Sequence, residues 1–439
     1  MTDYKKRLLK AIPGGAHTYS RGYDQYPENA PEIMHKGKGA YTYDDKGNKY
    51  LDYGMALRAV NLGYADDQVD LAAFEQIRNG NNLTRASLIE LEAAELLIDL
   101  IDSVDMVKFT KNGSTAVSAA VKLSRAYTNR TLVARCSDHP FFSYDDWFIS
   151  STPIKKGIPE NVLNQTKQFK YNNIESLELL IEEFPNEIAC VILEPSSIEH
   201  PAVSKTHENE TYLHDVQRLC KKHGIVFVLD EMITGFRWDL KGAQHYYNIQ
   251  ADLCTFGKAM ANGFSVAAVA GKREIMELGS IEFEGQERLF LLSTTHGAEM
   301  CGLGAFVKTV EVLKQDNVIE HFWSFGRELI DLMNSKAKEA GLEKYFVAGG
   351  VECSPWYATY GSDEKVSLAF RTLFSQEMIK NGVLMPWIAL TKAHGDKELQ
   401  LTATALENTF AVYKEAIDAG TTDGFLKGDA IRPVFRSHN

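Results

Sequence analysis

The spacing of apolar residues changes period along this chain. Residues 39–44 and 49–53 alternate apolar and polar positions on either side of Asp45-Lys46-Gly47-Asn48, which predicts a β-hairpin. From about residue 85 a different rhythm begins. Positions 88–101 carry a helical stripe, 106–109 a short apolar run, and 115–127 a second helical stripe. Apolar runs at 132–136, 190–193, 225–229, 253–256 and 266–270 then alternate with helical patterns at 174–184 and 212–223. Strands alternating with helices predict a mostly parallel sheet covered on both faces, an α/β fold. Beyond residue 300 come helices at 304–313 and 319–341, a sheet-like portion, and a last helix at 399–419, which read as a smaller α+β domain. The expected organisation is an N-terminal segment, 1–60, whose hairpin joins that smaller domain. A large domain follows over 61–305, and 306–439 completes the small one.

Composition narrows the classes. The chain has 439 residues, 44% hydrophobic and 24% charged, enough for two closely packed domains with a large buried sheet. No apolar run approaches the roughly 20 residues that cross a bilayer, and the first residues lack an apolar signal core, so the expectation is a cytoplasmic protein without a membrane role. A net charge of -12 disfavours nucleic acid and leaves room for a local basic pocket that takes a small anion. Six scattered cysteines show no CxxC spacing, and His207, His214, His223, His245 and His394 do not converge with carboxylates or thiols, so no metal site is expected.

Two residues carry candidate chemistry. Asp230 closes the run Ile225-Val226-Phe227-Val228-Leu229, and Lys258 follows Thr255-Phe256-Gly257. Both would stand at the carboxyl ends of neighbouring buried strands, where open α/β sheets hold ligands. A carboxylate there can pair with a ring nitrogen, and an amine can form a Schiff base with an aldehyde. A helix cap and a surface amine would be the better explanation of the pair if it stood alone. A third point comes from Asn112-Gly113-Ser114-Thr115, between a strand and a helix. Its backbone N–H groups and hydroxyls, with the helix dipole, suit a phosphate, or a plain N-cap. Together the three points match the corners of pyridoxal 5′-phosphate: phosphate, ring nitrogen and aldehyde carbon.

At these residues the chain resembles the class III aminotransferases of the fold type I pyridoxal phosphate enzymes, in the branch of glutamate-1-semialdehyde aminomutase. The likeness rests on Pro13-Gly14-Gly15 with Arg21, Gly39-Ala40-Tyr41 through Tyr53, Leu62-Gly63-Tyr64, Asn112-Gly113-Ser114 and Lys122 through Arg130. It continues in Glu194-Pro195, Leu229-Asp230-Glu231-Met232-Ile233-Thr234-Gly235-Phe236-Arg237 and Thr255-Phe256-Gly257-Lys258. It implies a large domain on a mostly parallel sheet of the seven-stranded type, and a homodimer with shared active sites. Asp230 would keep the ring nitrogen protonated, and Lys258 would hold the cofactor and shuttle the substrate proton. Gly113 and Ser114 would take the phosphate, Met232 would lie against the ring, and Glu194 would stand near it. The opposite ring face meets an aromatic residue in the family. Here the stretch reads Asp138-His139-Pro140-Phe141-Phe142, a departure that points to His139, with Phe141 as the other candidate. Thr294, in Ser293-Thr294-Thr295-His296-Gly297, matches a residue that in the family reaches the neighbouring subunit's phosphate.

Arg21 falls where the branch pairs an arginine with a substrate carboxylate, for which a guanidinium fork is suited; a solvated surface charge is the alternative. Arg58, where the family usually has a small residue, suggests a second anionic group on the substrate. Pro386 stands where the mutase branch is expected to carry a glutamate, and Trp387 beside it is a pocket wall or a core aromatic. These departures favour a transaminase that takes its amino group from glutamate and passes it to an acidic carbonyl acceptor. The expected acceptor is a sugar acid of the 8-amino-3,8-dideoxy-manno-octulosonate type, used in surface polysaccharides (lipopolysaccharide biosynthesis). Alternatives are glutamate-1-semialdehyde 2,1-aminomutase, a decarboxylase or racemase on the same fold, and a non-catalytic cofactor-binding protein.

Overall fold

The computed structural model describes residues 3–282 and 284–438. The chain divides into two units, Met1–Asp66 with Glu320–Arg436, and Asp67–Ile319 with Ser437–Asn439. The helix Met300–Gln315, which spans the expected boundary at 305/306, belongs to the second unit, where it packs on the helices Asp67–Arg78 and Leu88–Leu100.

A seven-stranded sheet organises the second unit. Its spatial order is Met106–Thr110, Ala267–Gly271, Leu253–Phe256, Val226–Asp230, Ile188–Leu193, Leu132–Cys136 and Thr166–Phe169. Ala267–Gly271 runs antiparallel to both of its neighbours, and every other pairing is parallel. Two reversals in succession restore the direction, so Met106–Thr110 points the same way as the central strands. Their carboxyl ends, and the residues just beyond them, therefore lie along one edge of the sheet. The central strands read as unbroken apolar runs because both faces are covered: Ile188 through Leu193 and Val226 through Leu229 are at most 2% exposed. Each valine, leucine, isoleucine or phenylalanine among them stabilises the unit by about 1.5–3 kcal/mol.

The first unit holds a four-stranded sheet in the order Met34–Lys38, Tyr41–Asp44, Lys49–Asp52, Val383–Leu384. In the hairpin Tyr41 pairs with Leu51, and the turn is tied by Asp44, whose carboxylate accepts the N–H groups of Lys46 and Asn48. A second hairpin, Phe346–Val351 with Ser354–Thr359, packs through Phe346 and Tyr357 on Phe374 and Phe410. The last two belong to the helices Leu368–Lys380 and Asp396–Ala419. Among the described residues no helix is long and apolar enough to cross a membrane.

Candidate active site

Asp230 is the last residue of its strand and is 2% exposed. Its Oδ1 accepts the N–H of Met232 at 2.9 Å and the hydroxyl of Thr255 at 3.2 Å. Thr255 is its register partner on the adjacent strand. Burial pushes the carboxyl up to about 6, against the pull of the Lys258 charge, which favours the ionised form. Asp230 and Lys258 thus sense one another across a buried strand edge. Lys258 opens the short helical turn Lys258–Ala261 with a φ of +46°, a left-handed conformation that a residue with a β-carbon adopts only where its surroundings hold it.

Two glycines shape the space beside this pair. A Cβ on Gly113 would stand 2.7 Å from the Met232 sulfur, and one on Gly257 would stand 2.6 Å from the same atom. The sulfur of Met232, which is 7% exposed, therefore sits in a slot that any larger residue at 113 or 257 would fill.

The helix Gly113–Thr128 begins directly after the strand Met106–Thr110. Its cap is Asn112, whose Oδ1 accepts the N–H of Thr115 at 2.9 Å, so Ser114 is not needed for capping. Ser114 is 7% exposed, and its Oγ accepts the N–H of Tyr144 at 3.2 Å, leaving its own O–H available to donate to an anion. Sixteen residues of aligned peptide dipoles favour that anion at this end.

Of the two planar candidates after the strand Leu132–Cys136, His139 is 2% exposed while Phe141 is 46% exposed and turns its ring to Phe148. The backbone N–H of Glu194 donates to His139 Nδ1 at 3.0 Å. Burial drives the imidazole down to about 3, so it is a neutral ring with its proton on Nε2. Glu194 itself is 3% exposed at the end of Ile188–Leu193. Thr294 lies on the surface, in an irregular stretch whose turn sets its Oγ1 where a Cβ on Gly297 would stand within 2.3 Å.

Two contributors are missing from the expected set. Thr255 was legible only as part of the Thr-Phe-Gly-Lys string, and its role depends on strand register, which apolar runs do not specify. Glu231 is fully buried and accepts the hydroxyl of Thr234 and the N–H groups of Ala243 and Gln244 at 2.7–3.0 Å. It ties the loop after Asp230 to the next helical turn.

The donor set fits pyridoxal phosphate. A buried carboxylate, an amine, a helix N-terminus with a hydroxyl that can donate, and a neutral planar ring occupy residues along one strand edge, and the two glycines let the Met232 sulfur lie among them. Among the described residues no group of His, Cys, Asp and Glu could hold a metal ion.

The other two predicted site residues lie in the first unit. Arg21 lines a cavity of about 540 Å³ together with Tyr23, Tyr26, Tyr64, Pro386 and Trp387. Its charge opposes the effects of burial and of Asp52, which push the Tyr26 hydroxyl up to about 12. Arg58 does not line this cavity. The two residues before it, Ala56 and Leu57, do. Arg58 is half-buried and closes a turn of left-handed residues, Met55–Arg58.

Residues 23–344 match the family described as Aminotransferase class-III. The 3-aminobutyryl-CoA aminotransferase of Cloacimonas acidaminovorans is 30% identical over 414 residues, which cover 92% of this chain and 95% of that protein. The glutamate-1-semialdehyde 2,1-aminomutase of Francisella philomiragia is 28% identical over 425 residues, covering 92% and 96%. Among solved structures, the FumI protein of Sphingopyxis sp. MTA144 in its PLP-bound form superposes with a TM-score of 0.84 at 22% identity, covering 95% of this chain and 97% of that one. An omega-transaminase from Sphaerobacter thermophilus gives 0.80 at 23% identity, with 93% and 96% covered. These likenesses show the fold, which is α/β of fold type I.

Proposed function

We propose, for a chain that belongs to the class-III aminotransferases and works with pyridoxal 5′-phosphate, that it moves the amino group of glutamate to an acceptor bearing both a carbonyl and a carboxylate. The observation that carries the substrate class is Arg21, a guanidinium lining a cavity of about 540 Å³ whose wall at position 386 is proline rather than a carboxylate. A fork of N–H donors suits a carboxylate, and a cavity of that size admits a ligand larger than glutamate. The absence of a carboxylate at Pro386 speaks for two-substrate transfer rather than an internal mutase, which has two amino groups to orient.

Bound at the strand edge, pyridoxal phosphate supplies an aldehyde carbon and an electron-accepting ring. The residues of the chain do the rest. Lys258 would hold the aldehyde carbon through its amine and would carry the proton that leaves the substrate Cα. Asp230, ionised, would keep a proton on the ring nitrogen. Gly113 and Ser114 would give N–H and O–H groups to the phosphate, His139 and Met232 would hold the ring, and Glu194 fixes His139 through its own backbone N–H. Thr294 is assigned to the phosphate of a second subunit, which makes the working unit a homodimer, and the activity is placed in the cytoplasm. The finer expectation is a sugar acid acceptor, whereas the two relatives described above are named for 3-aminobutyryl-CoA and for glutamate 1-semialdehyde. Arg58, outside the cavity, adds nothing to it. The reading is therefore held at an acidic carbonyl compound.

The test is transfer from glutamate to a panel of carbonyl acceptors with and without a carboxylate, read as 2-oxoglutarate formed. Acidic acceptors are expected to be preferred, and Arg21→Gln to erase that preference. Isomerisation of glutamate 1-semialdehyde with no amino donor present would instead establish the mutase.

A further inference from the structure

Lys111 stands between the strand Met106–Thr110 and Asn112, the cap of the helix Gly113–Thr128. Its Nζ lies 2.5 Å from Oε2 of Glu299, and the two side chains are 27% and 26% exposed. Glu299 is the residue before the helix Met300–Gln315, a position where a side-chain oxygen ordinarily caps the helix. It makes no such hydrogen bond, because Asn81 supplies the cap. The Asn81 carbonyl accepts the N–H of Met300 at 2.8 Å, and its Oδ1 accepts the N–H of Cys301 at 3.0 Å. Asn81 Nδ2 donates to Glu299 Oε1 at 2.7 Å, so the carboxylate is gripped by one oxygen and meets Lys111 with the other. Asn81 does this at a φ of +55°, which asparagine tolerates better than most residues. Beside it, Asn82 Nδ2 donates to the carbonyl of Thr295 at 3.0 Å. The carbonyl of Lys111, in turn, accepts the hydroxyl of Ser265 at 2.5 Å, shortly after the turn Lys258–Ala261. Three segments therefore meet at Lys111: the entry to the helix Gly113–Thr128, the chain that follows Lys258, and the stretch that carries Thr294.

We propose that Lys111 and Glu299 are the positioning pair of the phosphate site, fixing the stretch 294–299 against the entry to the helix Gly113–Thr128 so that Gly113 and Ser114 are already in place for the anion. The proposal rests on the reading of Gly113 and Ser114 as the phosphate's donors. A charge-assisted pair whose carboxylate is already held by Asn81 loses less side-chain freedom on forming than a surface pair does. Donors ordered before the anion arrives bind it more tightly.

The test is release of the cofactor from diluted holoenzyme, followed by its absorption, for enzyme loaded with pyridoxal 5′-phosphate and for enzyme loaded with pyridoxal, which lacks the phosphate. Glu299→Gln and Lys111→Met are each expected to release pyridoxal 5′-phosphate about fivefold faster and pyridoxal within about twofold of the parental rate. The double variant is expected to be no worse than the poorer single, as a pair acting as one unit requires. Equal acceleration of both ligands in Glu299→Gln would mean that the pair only holds the fold together, and overturns the proposal. So does a parental rate in Glu299→Gln, or an additive loss in the double variant. Slower release from Glu299→Gln overturns it too, since Lys111 set free would then be binding the phosphate itself. Glu299→Gln decides alone if Lys111→Met does not fold. The placement of the phosphate fails separately, if Ser114→Ala releases pyridoxal 5′-phosphate at the parental rate.

Discussion

Thr255 donates its hydroxyl to the Asp230 carboxylate at 3.2 Å from the position directly opposite on the adjacent strand. That hydrogen bond, the Met232 N–H and the Lys258 charge all favour the ionised form, and burial still outweighs them, lifting the carboxyl from 3.8 to about 6. Folding favours the acid form relative to the unfolded chain, so the stability that form contributes is fully present below pH 3.8 and is lost as pH rises through about 6. Asp230→Asn removes the buried charge. Its apoprotein is expected to melt higher than the parent's above pH 7, by about 1–3 kcal/mol, and to match it near pH 4. Activity is expected to fall on the order of 10²-fold or more, because no carboxylate then holds the ring-nitrogen proton. Thermal melts of cofactor-stripped protein across that pH range check the first part. Steady-state rates check the second.

Gly113→Ala places a methyl 2.7 Å from the Met232 sulfur. It is expected to lower stability by about 1–3 kcal/mol through overpacking and to weaken cofactor binding. Met232→Ala in the same chain should relieve the clash, so a double-mutant cycle should show a coupling of about 1 kcal/mol or more. Additive losses, measured by denaturant unfolding, would mean the two positions do not meet.

Ala56→Gly tests the left-handed turn from the side of stability. In an ordinary helix this change destabilises by about 0.5–1 kcal/mol. At a φ of +50° it is expected to stabilise the protein or leave it unchanged, since a left-handed alanine costs about 1–2 kcal/mol. Comparison with Ala116→Gly, within the helix Gly113–Thr128, gives the ordinary sign as a control.

His139 is neutral throughout the working range because burial holds its imidazole near 3. His139→Phe is therefore expected to keep the shape of the pH–rate profile between about pH 5 and 9 while changing its height. Loss of an ionisation in that window would show that the ring titrates, and the assigned role as a flat neutral partner would be wrong.

Much of this was legible in the sequence where the physics is local or repeats. The central strands are buried on both faces, and Ile188–Leu193 and Val226–Asp230 accordingly announce themselves as apolar runs. Asp44, Gly47 and Asn48 spell their turn. What stayed hidden depends on partners distant in sequence. The edge strand Thr166–Phe169, half polar, carries no run, and the helix Leu368–Lys380, buried on nearly all sides from Phe370 to Ile379, shows no helical stripe. At the site, Asp230, Lys258 and Gly113 follow from their positions at strand ends, while the Thr255 hydrogen bond requires the register between two strands. Nothing in Met55-Ala56-Leu57-Arg58 signals a left-handed turn, because its cause lies in Asp52, Tyr64 and Trp387, which hydrogen-bond to the backbone of residues 54–56. Arg58, expected to meet a second anionic group, closes that turn and does not line the cavity that holds Arg21.

The measurement that bears most directly on the account is a single half-reaction. Purified holoenzyme is mixed with glutamate, without any acceptor, and 2-oxoglutarate and the visible absorption of the bound cofactor are followed together. The account predicts close to one equivalent of 2-oxoglutarate per subunit with a matching change in absorption, and neither in Lys258→Ala. Absence of 2-oxoglutarate from the parent, or its release by Lys258→Ala at the parent's rate, would contradict it.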